Sequence, residues 1–225
     1  MKNSDKPKNE SNNKSDKLTS FNEKYNTELS MENIIIDVSK KDLGNNGLQL
    51  LIELPFNLIN HVIELNLSEN DITNISPLIK MNYNNLKKLN ISKNRIENIE
   101  PLEKLNLNEL EVLDFSFNRL KNINSLSKKN FIKLIDLNLG YNQLNDINAL
   151  EFMNCPNLRN IDLSNNGLID ITVFERMNFP QLSNILCSCN YFNHEVIKNH
   201  DIISNLRKKG CNVSIYGTIN QFKYD

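Results

Sequence analysis

The chain has 225 residues, 39% of them hydrophobic and 24% charged, with a formal net charge of −1. That length holds one domain with a sizeable core but hardly two large ones. The near-neutral balance excludes a global field drawing the protein to nucleic acid, a membrane surface or an acidic substrate, and no apolar run approaches the roughly 20 residues of a membrane span.

Residues 1–30 are polar, mixed in charge and aperiodic, starting Met1-Lys2-Asn3-Ser4-Asp5-Lys6 without the apolar run of a secretory signal. Such a segment buries too little apolar surface to offset chain ordering, so a disordered tail is expected. Residues 31–61 read as an N-terminal capping repeat. Ile34-Ile35-Ile36-Asp37-Val38 supplies a strand, and residues 43–51 supply a helix longer than any in the units that follow.

Residues 62–193 hold six regular units. Asn70, Asn94, Asn118, Asn142, Asn166 and Asn190 each stand 24 residues after the last. Around them one frame recurs, as Val62-x-x-Leu65-x-Leu67-x-x-Asn70 and again, for example, as Leu110-x-x-Leu113-x-Phe115-x-x-Asn118. The centre of the frame alternates with period two, which predicts a short strand with one face buried. The second half of each unit places Ile72, Ile75 and Leu78, and their equivalents, at an inward spacing. Ser76, Glu100, Asn124, Asn148 and Thr172 read as caps of a short helix, with Pro77 and Pro101 at its first turn. Asn82, Asn106, Asn130, Asn154 and Asn178 mark its exit, where a left-handed residue suits. Tyr83, Leu107, Phe131, Cys155 and Phe179 then return to the core. Residues 194–225 read as a C-terminal cap: a helix over 194–209 that ends on Arg207-Lys208-Lys209 and Gly210, then a strand from Cys211 to Tyr216. Terminal units must cover the open core of a stack.

The six copies resemble the leucine-rich-repeat superfamily, and the resemblance covers most of the chain. It implies an α/β solenoid, with a curved parallel sheet on the concave face and short helices or 3-10 turns on the convex face. It also implies an asparagine ladder at Asn70, Asn94, Asn118, Asn142, Asn166 and Asn190, whose side chains point inward and bond the turn backbone. The Ile-x-x-Ile-x-x-Leu spacing resembles the short-repeat class that includes a regulatory subunit of protein phosphatase 1. The first repeat resembles the ribonuclease-inhibitor type.

No nucleophile elbow, phosphate loop, dinucleotide fingerprint or His-Glu-x-x-His motif occurs, so an enzyme is not expected. Cys187 and Cys189 near His194 form the one cluster to weigh for metal. The frame turns Cys187 inward and Cys189 outward, so no metal site and no cofactor are expected. Asp114, Asp136 and Asp162 read as solvated carboxylates of the sheet face.

Recognition therefore falls to the outward positions of the strands. Phe117 and Tyr141 share one position in consecutive units, flanked by Arg95, Arg119, Val112 and Asp136; aromatic residues and arginines most often anchor interfaces. Lys87, Lys88, Lys93 and Arg95, beside Glu64, Glu69 and Asp71, read as a mixed-charge rim rather than a nucleic-acid track. The expected function is a non-catalytic module that binds a partner protein on its concave face, with no nucleic acid or membrane partner, and monomeric alone. Two further readings stand beside it: a regulatory or targeting subunit of an enzyme such as a protein phosphatase, and a secreted or host-directed effector. Four cysteines outside any cysteine-rich cap suit reduced thiols and an intracellular, cytoplasmic or nuclear location.

Overall fold

Alternation at the centre of each unit makes strands of three residues, because only that stretch presents one buried side chain between two outward ones. The computed structural model describes residues 9–55, 58, 61–81, 83–192 and 197–215. Its strands are β1 (Ile35–Asp37), β2 (Glu64–Asn66), β3 (Lys88–Asn90), β4 (Val112–Asp114), β5 (Asp136–Asn138), β6 (Asn160–Asp162), β7 (Asn184–Leu186) and β8 (Asn212–Ser214). They form one parallel sheet in sequence order. The register never slips: Ile36, Leu65, Leu89, Leu113, Leu137, Ile161, Ile185 and Val213 are successive Cα partners. All eight are buried. Parallel sheets are normally covered on both faces; here one face stays open, because each unit brings only one helical segment to the other side.

Those segments are 3-10 helices: η1 (Ser76–Lys80), η2 (Glu100–Lys104), η3 (Asn124–Lys128), η4 (Asn148–Phe152) and η5 (Thr172–Glu175). Their N-cap positions are Ile75, Ile99, Ile123, Ile147 and Ile171, one residue before the expected ones, and none makes a side-chain cap bond. Side-chain oxygens of Asn74, Asn98, Asn122, Asp146 and Asp170 accept the backbone N–H of Ser76, Glu100, Asn124, Asn148 and Thr172 at 2.7–3.3 Å. The expected caps are therefore the first helical residues. The short polar residues two positions upstream satisfy the first helical N–H by Asx turns.

The expected left-handed exits are also corrected. None of Asn106, Asn130, Asn154 and Asn178 has positive φ; Asn130 and Asn154 instead pair as a parallel bridge. Asn82 lies outside the described residues. The left-handed residue is the one before each ladder asparagine: Glu69, Lys93, Phe117, Tyr141, Asn165 and Cys189, with φ between 53° and 56°. There the backbone must reverse its pleat to swing the asparagine inward.

The expectation of a disordered tail over residues 1–30 fails from Asn9 onward, where α1 (Asn9–Tyr25) begins. The physical reason is a sparse apolar stripe: Phe21, Tyr25 and Leu29 are buried and Leu18 packs against the core. The Asn22 amide donates to Leu29 O and its oxygen accepts from Leu29 N and Thr27 Oγ1, folding the chain back after the helix. Tyr25 then lies on α2 (Gly44–Ile52) so closely that a Cβ on Gly47 would stand 2.9 Å from its hydroxyl. The first repeat is longer than the regular units and its helix is a true α-helix. At the far end α3 (Ile197–Lys208) stops before Gly210, at φ 86°, and β8 closes the sheet. Residues 194–196 and Tyr216 of the expected cap lie outside the described residues. Among the described residues no helix is long and apolar enough to cross a membrane.

Candidate interaction surface

The ladder asparagines are what hold the open face in place. Each turns its amide in under the strand turn, buried except at the half-buried Asn142: Asn118 Nδ2 donates to Ile91 O, Phe115 O and Ser116 O, and its Oδ1 accepts from Ile96 N. The same pattern repeats at Asn94, Asn142, Asn166 and Asn190. A buried turn without such partners would leave orphan amides at about 1–3 kcal/mol each. With the backbone so fixed, the outward side chains of neighbouring strands stand in rows about 4.8 Å apart.

Phe117 and Tyr141 meet in one of these rows. Their rings stack at 3.9 Å between centroids and 10° between planes, and the two side chains remain 43% and 47% exposed. Val112 and Asp136 are Cα partners on β4 and β5. Arg119 is exposed and makes no side-chain hydrogen bond or ion pair among the described residues. Arg95 is not part of this group in charge terms, since its guanidinium lies 2.9 Å from Asp71 Oδ1.

Charge divides the face in two. Around β2 and β3 every basic residue of the expected rim has an acid beside it: Lys87 with Glu111 at 3.1 Å, Lys88 with Glu64 at 2.7 Å and Lys93 with Glu69 at 3.1 Å. The hydrogen bond from Lys93 holds the Glu69 carboxyl below its ordinary range, and the bond to Glu64 raises the Lys88 ammonium. From β4 to β7 the outward rows hold Asp114, Asp136 and Asp162 and no lysine, arginine or histidine.

These carboxylates sit inside a polar lattice that the sequence reading did not anticipate. Asp114 and Asp162 accept from Ser116 N and Ser164 N, each at 2.8 Å. Asn160 Nδ2 donates to Asp136, Asn184 Nδ2 to Asn160 Oδ1, and Asn212 Nδ2 to Asn184 Oδ1, an amide chain along one row. The signal was present as Asp136, Asn160 and Asn184 at equal spacing. Cys187 is buried and Cys189 half-buried on the opposite side of the strand end; His194 lies outside the described residues, among which no cluster of metal-holding side chains occurs.

Family models agree with the repeat frame. The model described as Leucine rich repeat matches residues 108–168, and the one described as Leucine Rich repeats (2 copies) matches 60–104 and 84–128. No curated protein matches the sequence. Among solved structures, an internalin (inlF) of Listeria monocytogenes is 22% identical with a TM-score of 0.60, covering 78% of this chain and 46% of that one. Internalin C2 of the same organism is 20% identical with a TM-score of 0.54, covering 89% and 91%. A complex of TLR13 with ssRNA13 is 20% identical with a TM-score of 0.54, covering 75% of this chain and 24% of that one. The chain thus spans less than half of the first of these proteins and nine-tenths of the second. At such identities the likeness is one of fold.

Proposed function

The chain is a leucine-rich-repeat protein, and on that premise we propose that it is a non-catalytic module that docks a partner protein on its open sheet face, centred on Phe117 and Tyr141. The stacked, half-exposed ring pair carries this reading. A non-glycine residue in the left-handed region costs about 1–2 kcal/mol, and a stacked aromatic pair returns about 0.5–1.5 kcal/mol. Phe117 and Tyr141 are both left-handed, so the strain is about 2–4 kcal/mol in all, more than the one stack returns, and the stability of the fold does not account for the two rings. A rigid aromatic platform with a free arginine, Arg119, beside it is the composition of an interface anchor.

Replacing both rings, Phe117→Ala with Tyr141→Ala, tests it in a quantitative affinity purification from the native cell. The expected result is loss of the captured partner with a melting temperature within about 3 °C of the parent. An unchanged partner set would sink the proposal. The same reading places the protein in a reducing compartment, supported by four unpaired cysteines, three of them buried.

A further inference from the structure

The three aspartates of β4–β6 carry charge that the fold does not need. In the row of Asp114 and Asp162, the residues Asn66, Asn90 and Asn138 make the same bond to the backbone N–H two residues on, at 3.0–3.1 Å. A neutral amide oxygen therefore fulfils the structural role. Asp136 receives Asn160 as Asn160 receives Asn184, so an amide serves there as well. Three like charges nevertheless gather on neighbouring strands, with Asp114 and Asp162 two strands apart, about 10 Å. None has a cation within ion-pairing distance among the described residues, whereas the acids around β2 and β3 are matched one by one.

The ring pair joins this acidic stretch through Gly140. Its row is serine in the other regular units, at Ser68, Ser92, Ser116, Ser164 and Ser188. A Cβ on Gly140 would stand 3.2 Å from Asp162 Oδ1. The glycine thus admits the Asp162 carboxylate against the backbone immediately before Tyr141. A carboxylate lying beside an exposed aromatic surface is suited to a guanidinium or ammonium group, which donates charge-assisted hydrogen bonds to the one and gains cation–π attraction from the other.

We propose that the segment docked here is cationic: an extended stretch of the partner protein bearing arginine or lysine side chains, which meet Asp114, Asp136 and Asp162 and lie against Phe117 and Tyr141. The proposal rests on the reading of this face as the docking surface. Crossing the strands, an extended chain rises about 3.3 Å per residue, so cations two or three residues apart match the acid spacing.

The test uses the full-length chain and a fluorescent heptapeptide, Gly-Arg-Ser-Arg-Ser-Arg-Gly, beside its isosteric neutral counterpart with citrulline in place of arginine. Fluorescence anisotropy should show the arginine peptide binding at least about ten-fold tighter, and weakening as salt rises from about 50 to about 300 mM. The triple variant Asp114→Asn, Asp136→Asn, Asp162→Asn should lose about ten-fold in affinity while melting with the parent, since asparagine keeps each local bond. Equal binding of the citrulline peptide, undiminished binding by the triple variant, or tighter binding of an RNA of the same length overturns the proposal. Partner capture that survives the triple substitution but not the loss of both rings overturns the cationic assignment alone. Capture that survives the loss of the rings removes the docking surface itself.

Discussion

Asn94 and Asn118 share an acceptor, and that sharing fixes how their loss should combine. The Ile91 carbonyl accepts from Asn94 Nδ2 and from Asn118 Nδ2, each at 3.0 Å. Asn118→Ala removes one of the two and orphans the Ile96 N–H, which Asn118 Oδ1 alone accepts. Phe115 O keeps its bond from Asn142, and Ser116 O its bond from Lys93 N. One orphaned buried donor costs about 1–3 kcal/mol, so a loss of about 2 kcal/mol is expected. Asn94→Ala orphans two donors, Asn70 N and Ile72 N, and should cost about 3–4 kcal/mol. In the double variant Ile91 O loses both partners. The pair should therefore exceed the sum of the singles by about 1 kcal/mol. Urea unfolding followed by far-ultraviolet circular dichroism measures all four proteins, and the slopes must agree for the comparison to hold. Additivity to within about 0.5 kcal/mol would show that the carbonyl is not shared and refute the argument.

Two other outcomes follow from burial. Phe21→Ala should release α1 from the first repeat at a cost of about 3 kcal/mol, with the loss confined to that end; hydrogen exchange should show α1 amides unprotected while β3–β6 stay protected. Unaltered protection of α1 would mean that the ring does not hold it. Burial also pushes the Cys155 and Cys187 thiols up to about 12 and raises Cys211. A raised value leaves less thiolate at pH 8, so native alkylation at that pH should reach the half-buried Cys189 first, read by intact mass, and the others only after unfolding. Early modification of Cys155 would contradict the burial.

The stack itself is legible in the sequence because one frame repeats and every repeat buries the same positions; the Leu65 to Ile185 series needs no tertiary information to be read as inward. The tail was not legible. Phe21, Tyr25 and Leu29 are three apolar residues in a polar stretch, and they stabilise a helix only because the first repeat offers an open end to cover. The caps were displaced because the helix takes in Ser76 as its first residue and leaves the cap position to Ile75, while the Asn74 oxygen serves the Ser76 N–H. The sign of φ at Phe117 and Tyr141 was hidden for a related reason: at the equivalent Asn165 the residue type advertises a left-handed turn, and an aromatic does not. Of the candidate surface, the pairing of the two rings could be read from the 24-residue spacing. The neutralisation of Arg95 by Asp71, and the isolation of the three aspartates, needed coordinates.

The unbroken register of the sheet also orders events in time. Among the described residues the strands pair, and the 3-10 helices pack, in chain order, so a unit has its main partner in the one before it. At about 5–20 residues per second, a ribosome releases one unit every few seconds, far longer than local strand pairing takes. Each unit can settle on its predecessor as it emerges, starting on the platform that α1 and α2 have already formed. Synthesis and docking then run in the same direction, and the growing edge is never more than one strand wide until α3 and β8 arrive to cover it.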